Sequence, residues 1–263
     1  MIAELDLFQP PRLWAATSAA FVVTAAALAF AGAVDKRELA GENVWNKPLK
    51  FALSFPIHFG TLALVSHFLP AEVQAQPWLR LSAMGSATAA FFELAYIAFQ
   101  AARQRRSHFN TDTRFEHLMY GLMGLGAVLL MAPALLIGLA VAVESRIHWA
   151  ASVRLGISVS FLAGTVLTTL TGFQMGARMS HFTSERSALS RRMPWTRWSL
   201  DGADLRPSHF LAVHMMQAIP LAAYFCSRVM PEVAATALGT LSSIGWIWLT
   251  LITLSSALKA GPR

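Results

Sequence analysis

Four copies of the tripeptide Ser-His-Phe are the most suggestive chemical feature of this 263-residue chain. Imidazole nitrogens bind transition metals and exchange protons near neutral pH, so repeated histidines in similar surroundings suggest a metal or acid–base site. Each copy lies near the end of a long apolar segment, and the four histidines are His67, His108, His181 and His209. This position also suits a structural alternative, in which the histidine lies among lipid headgroups and the phenylalanine dips into lipid.

The composition is that of a membrane protein. Hydrophobic residues make up 55% of the chain, charged residues 13%, and the mean hydropathy is +0.49, which argues against a soluble domain. Seven stretches approach or exceed the roughly 20 apolar residues that cross a bilayer as a helix. Their long continuous runs exclude the alternating segments of a barrel. We predict an all-α polytopic fold, one domain over residues 1–263, with transmembrane helices near 13–34, 50–69, 81–102, 118–143, 154–177, 208–227 and 233–258.

The basic residues predict the orientation, because Lys and Arg are retained in cytoplasmic loops. With seven alternating spans, sixteen of the 21 Lys and Arg residues fall on the side of the C-terminus. We therefore expect the N-terminus outside and the C-terminus in the cytoplasm, in the inner membrane of the cell. The same distribution accounts for a pI near 10.3 without nucleic acid, and the expected partners are membrane lipids. The single cysteine, Cys226, excludes an intrachain disulfide and a cysteine-rich metal site.

Ionisable side chains from three helices are expected at a similar depth. Glu93 is the only acidic residue within a predicted span, and an intramembrane carboxylate is a functional candidate by default. His58 and His214 lie about 12 Å from the cytoplasmic ends of their helices, and Glu93 about 15 Å. Gln217 shares a helical face with His214, whereas His209 and His214 diverge by roughly 140°. The structural alternative for Glu93 is a protonated carboxyl that hydrogen-bonds between helices.

These residues suggest a metal site near the cytoplasmic leaflet, in an enzyme that acts on a lipid. Zinc or iron suits the available ligands, which we expect to come from His108, His181, His209, His214 and His58. A metal there would activate water or oxygen. Glu93 and His214 are the expected catalytic groups.

Four further side chains are expected to bind a cofactor or a headgroup. Arg103 and Arg206, together with Arg178, could hold a lipid phosphate. Gln217 beside His214 could bind a quinone.

Two alternatives to the enzyme remain open. One is a redox protein, with haem b held between His58 and His214 or with a quinone at His214 and Gln217. The other is a proton-coupled transporter or sensor that works through Glu93. A retinal protein is excluded, because the last predicted span has no lysine before Lys259 at its end.

The chain resembles a family of bacterial seven-helix membrane proteins that has no assigned activity. The resemblance covers most of the chain. That family often carries another residue at the position of His58, which shifts the expected ligand role toward the other histidines. The matching residues are Trp45, Lys47-Pro48-Leu49-Lys50-Phe51 and Ser54; Gln100, Arg103 and Ser107-His108-Phe109-Asn110; and Trp198-Ser199, Asp204-Leu205-Arg206, His209-Phe210, His214, Gln217 and Pro220.

A shorter stretch is similar to the CREST superfamily, seven-helix metal-dependent hydrolases of lipid amides that include alkaline ceramidases. Ser54-Phe55-Pro56-Ile57-His58 matches the Ser-x-x-x-His motif of that group in helix 2. The chain departs from the pattern elsewhere, since Glu93 would have to replace the aspartate of helix 3. Residues 233–258 also lack the expected His-x-x-x-His of helix 7. The resemblance implies zinc amidase chemistry.

Overall fold

A computed structural model describes residues 8–185, 191–194 and 196–260. In this part of the chain, seven helices are long and apolar enough to cross a membrane, which confirms the predicted all-helical fold and the predicted number of long apolar helices. They are α1 (Pro10–Val34), α2 (Asn46–His67), α4 (Pro77–Ala102), α5 (Arg114–Val143), α6 (Ala151–Ala177), α7 (Arg206–Val229) and α8 (Glu232–Lys259), with a short α3 (Ala71–Gln74) between α2 and α4.

Every long helix begins one to four residues before its predicted start. The first turns are helical without being apolar, so a boundary drawn at the start of the apolar run misses them. Proline occupies one of the first two positions in α1, α4 and α7, where its missing N–H costs no helical hydrogen bond. In α5 the first turn holds Arg114 and Glu116. The predicted start at residue 118 therefore left a buried carboxylate outside the helix.

The chain divides into two compact units, residues 1–136 and residues 137–263. In the first unit, α1, α2 and α4 pack together around aromatic rings. The Phe21 ring lies 4.8 Å from that of Phe55 and 4.7 Å from that of Phe91. The indole Nε1 of Trp14 donates to Ser86 Oγ at 3.1 Å, which joins α1 to α4.

A hairpin follows α1 and fixes the start of α2. Strands β1 (Glu38–Leu39) and β2 (Glu42–Asn43) pair antiparallel around Ala40 and Gly41, which both have positive φ. Asp35 accepts hydrogen bonds from the Arg37 guanidinium and from Trp45 Nε1, and these contacts hold the pKa of Asp35 well below its usual range. Arg37 Nη1 also donates to the carbonyl of Ala102 at 3.0 Å. The hairpin therefore ties the start of α2 to the end of α4.

In the second unit, α6, α7 and α8 pack through small residues. A Cβ built on Gly156 would lie 2.9 Å from Ala223 Cβ, and one built on Gly164 would lie 3.0 Å from Met216 Cγ. A hydrogen bond joins α8 to α7, since Trp246 Nε1 donates to the carbonyl of Leu211 at 2.8 Å. The backbones of α6 and α7 can approach this closely only where a side chain is missing.

The two units repeat one pattern of burial. The three long helices of the first unit, α1, α2 and α4, correspond in order to α6, α7 and α8 at constant offsets of 143, 160 and 157 residues. The C-terminal ends of α1 and α4 coincide with those of α6 and α8 at the same offsets. The buried pairs are Trp14/Ile157, Thr17/Ser160, Phe21/Gly164, Ala25/Thr168 and Leu28/Thr171; Pro48/Ser208, Ala52/Ala212, Phe55/Met215, Phe59/Ile219 and Ala63/Ala223; and Ser86/Ser243, Glu93/Thr250, Ile97/Leu254 and Gln100/Ala257.

Close packing between α6 and α7 predicts a cost for any side chain at Gly156. Gly156→Leu should lower the free energy of unfolding by about 1–3 kcal/mol, because the new side chain overlaps Ala223. Unfolding in detergent, followed by circular dichroism, measures the change. Gly245→Leu in α8 is the matched control, since a Cβ there meets no atom within 4 Å. Equal effects of the two substitutions would contradict the packing.

Candidate functional site

The four Ser-His-Phe copies lie at helix ends, as predicted, and make different contacts. His67 is exposed at the end of α2, beside the Phe68 ring. His108 follows α4, with its Nδ1 3.2 Å from Ser107 Oγ and its ring 5.7 Å from that of Phe51. His181 follows α6, and its backbone carbonyl accepts the N–H of Leu205 at 2.9 Å.

His209 connects α7 to α6. Its Nδ1 lies 2.8 Å from Thr171 Oγ1, and the same ring donates to the carbonyl of Thr168. His214 leaves the other side of α7, where its ring packs 4.3 Å from Phe210 and hydrogen-bonds Gln217. The expected divergence of the two histidines on one helix agrees with these separate partners.

A metal site is not assembled within either unit. Among the residues that the structure describes, neither unit brings together three or more His, Cys, Asp or Glu side chains in an arrangement that could hold a metal ion. In the first unit, the ring of His58 is also engaged, because its Nε2 lies 3.0 Å from the carbonyl of Leu130. A carbonyl only accepts, so Nε2 carries the proton. The ligand role of these histidines stays a prediction.

The three arginines expected to hold a phosphate are occupied to different degrees. Arg206 forms a two-pronged ion pair with the buried Asp204 at 2.6 Å, and its Nη2 also donates to the carbonyl of Arg197. Arg178 bonds the side chain of Gln174. Arg103 is exposed, with its guanidinium 5.1 Å from the Phe99 ring centroid. Arg206 therefore stabilises the start of α7. Arg103 also donates to Gln100 Oε1 at 3.4 Å, and both Arg103 and Arg178 are exposed.

Glu93 has the surroundings that make it the best functional candidate. Only 4% of the residue is exposed, and it lies nine residues, or about 14 Å, before the end of α4. The half-buried Lys47, second residue of α2, interacts electrostatically with the carboxylate. From the third side, α5 presents Gly126, where an added Cβ would lie 2.9 Å from Glu93 Oε1. Groups from two other helices thus act on the Glu93 carboxylate of α4, Lys47 of α2 by electrostatic attraction and Gly126 of α5 by close contact.

A buried hydrogen-bond network extends from this level to the end of α4. Gln100 Nε2 donates to Tyr96 Oη at 2.8 Å, and Gln100 also bonds the carboxylate of Glu116. Glu116 is 1% exposed and pairs with Arg105 at 3.0 Å, while Thr113 Oγ1 donates to it at 2.9 Å. Thr113 Oγ1 also accepts the N–H of Glu116 at 3.3 Å, which caps the start of α5.

Sequence reasoning identified Glu93 and missed its partners. The apolar run predicts that α2 begins at Lys50, which leaves Lys47 in a loop, and Gly126 is one of many small residues in an apolar helix. One signal is available in the sequence, since a buried carboxylate predicts a cation nearby and the long stem of a lysine at a helix end can lie along apolar surface.

Comparisons of the chain with protein-family models, with curated proteins and with solved structures found no match. The residues themselves therefore carry the functional argument.

The Lys47–Glu93 interaction predicts energetic coupling between the two side chains. In a double-mutant cycle of Lys47→Met and Glu93→Gln, each single change leaves one buried group without its partner, whereas the double change removes both. We expect a coupling of about 1–3 kcal/mol in the free energy of unfolding.

Lys50 and Glu42 supply the control pair. They lie 3.4 Å apart, with Lys50 largely exposed, and exposed pairs contribute little to stability. Their cycle should give a coupling close to zero. If the two cycles gave equal values, Lys47 and Glu93 would not form a special pair.

Proposed function

We propose that this protein is a proton-coupled membrane transporter in which Glu93 takes up and releases the proton. Its seven spans would place the N-terminus outside and the C-terminus in the cytoplasm of a cell bounded by an inner membrane. In that orientation Lys47 and the Glu116 network lie toward the cytoplasmic end of the first unit.

The observation that carries the proposal is a carboxylate buried mid-span beside a lysine. An ionised carboxylate in the membrane interior is expensive, and proteins keep one there chiefly for ion or proton pathways. The Lys47 ammonium offsets the charge of the ionised form, and the surrounding low dielectric stabilises the neutral form. A reversible proton-binding group requires that both forms be accessible, and these two opposing influences act on the same carboxyl group.

The repeated burial pattern favours transport over sensing. Many transporters consist of repeated helical units, with coupling-ion sites near the middle of the membrane on helices of the repeat. Glu93 lies in the third long helix of the first repeat, and Thr250 occupies the equivalent buried position in the second. The repeats share a scaffold and differ at the ionisable position.

The lipid-hydrolase, haem and quinone hypotheses have less support from the contacts. His209 is hydrogen-bonded to α6 through Thr171 and Thr168, and His58 donates to the carbonyl of Leu130. These bonds are those of histidines that join helices. His214 and Gln217 keep a half-buried polar face, so a quinone at that face stays a prediction.

The excess of basic residues in alternate loops predicts the side on which the C-terminus lies. A green fluorescent protein fused after Lys259 should fluoresce, because it folds in the cytoplasm, and an alkaline phosphatase fusion at the same position should be inactive. Moving both reporters to the segment after Val143, three spans earlier, should reverse the two results. An active phosphatase at the C-terminus would overturn the orientation.

Proton uptake at Glu93 predicts a charge movement within the membrane. A rapid pH step applied to proteoliposomes on a solid support should give a transient current, because the proton crosses about 14 Å of the span. Glu93→Gln cannot take up the proton and should abolish the transient.

Glu72→Gln is the matched control for this current. Glu72 is an exposed residue of the short α3, so its replacement should leave the transient intact. A current of wild-type size in Glu93→Gln would reject Glu93 as the proton-binding group.

A further inference from the structure

One face of α5 is contacted at two successive turns by polar groups from other helices. Gly126, Leu130 and Pro133 follow one another at spacings of four and three residues, which places them on the same side of the helix. Glu93 of α4 packs against Gly126. His58 of α2 donates to the carbonyl of Leu130 at 3.0 Å. Glu93 and His58 therefore contact α5 one turn apart.

The third residue of this face is a proline inside a helix. Pro133 has no N–H, so the carbonyl of Leu129 loses its regular helical donor, and the ring weakens the helix at that turn. Proline breaks are tolerated within membranes when neighbouring groups bond the exposed backbone. His58 bonds the neighbouring carbonyl, that of Leu130, and not the carbonyl of Leu129 that Pro133 leaves without its helical donor. The imidazole thus stabilises α5 where the helix is most easily bent.

The protonation state of Glu93 can affect this turn of α5 through the contact between the carboxyl group and Gly126. The ionised carboxylate is attracted to Lys47 of α2, the charged group placed in electrostatic contact with it. The Oε1 of Glu93 packs on the α5 backbone at Gly126, where an added Cβ would lie only 2.9 Å away. Protonation would remove the attraction to Lys47 and so change the force that the carboxyl exerts at this contact. A change in this contact acts on α5 one turn before the carbonyl of Leu130 and two turns before Pro133.

We propose that protonation of Glu93 is coupled to bending of α5 at Pro133, with His58 as the positioning residue that holds the bend. The inference rests on the proposed proton-binding role of Glu93 and adds the moving element. Pro133 lies three residues before the last residue of the first unit, and α5 continues to Val143. A bend there would change the direction of the part of α5 that follows Pro133 according to the protonation state of Glu93.

Hydrogen exchange of the α5 amides tests the coupling at a single pH. Glu93→Gln mimics the protonated carboxyl, so amides 131–136 should exchange about tenfold faster than in the wild-type protein in lipid nanodiscs, as local opening increases. Pro133→Ala restores the missing N–H. In that background, the exchange rates of these amides should no longer differ between the Glu93→Gln variant and the protein that retains Glu93. Pro220→Ala, which changes a proline inside α7, should leave the difference unchanged.

Substitutions of His58 test its role separately. His58→Phe keeps a ring but removes the donor, and should speed exchange of amides 131–136 even with Glu93 intact. His58→Gln retains an N–H of similar reach and should restore protection. If His58→Phe and His58→Gln behave alike, the hydrogen bond to Leu130 does not position the bend.

The two proposals fail in distinguishable ways. Equal exchange of α5 in the wild type and Glu93→Gln would overturn the coupling, even if the pH-step current depended on Glu93. A current that does not depend on Glu93 would overturn the proton-binding role, whatever α5 does.

Discussion

The burial of one carboxylate within a long apolar helix is the constraint on which the first unit depends. An ionised Glu93 is stabilised by electrostatic attraction to Lys47, and that attraction requires α2 to begin at the right height beside α4. The hairpin after α1 sets that height through Asp35, Trp45 and the bond from Arg37 to the end of α4. The glycine in α5 completes the arrangement, because any side chain there would displace the carboxylate. The hairpin, the start of α2, the end of α4 and the glycine at position 126 thus all help to accommodate the buried Glu93 side chain.

The number of spans could be predicted because each is a continuous apolar run, and Glu93 stood out as a charge inside such a run. The ends were less accurate, since the polar first turns of α2 and α5 do not differ in composition from loops. That error had a chemical consequence. It placed Lys47 and Glu116 outside the helices, and so separated Glu93 from its partner and hid a second buried carboxylate.

The contacts of the histidines could not be predicted for a different reason. Membrane helices are apolar on most sides, so periodicity does not reveal which face meets which neighbour. His209 bonds Thr171 because Gly156 and Gly164 bring α6 and α7 close together, and nothing in the local sequence of α7 indicates this. The shared burial pattern of the two units was hidden likewise, since equivalent positions hold residues as different as Phe21 and Gly164.

In the proposed transporter, the pairing of Glu93 with Thr250 across the two repeats would limit the number of protons moved in each cycle. A duplicated scaffold offers two equivalent positions in its third long helices, yet a threonine hydroxyl does not ionise in the physiological range, so only one of the two positions titrates. Transport driven through this pair of positions would therefore move a single proton per chain in each cycle. At a given membrane potential and pH gradient, that ratio fixes the steepest substrate gradient one chain can sustain.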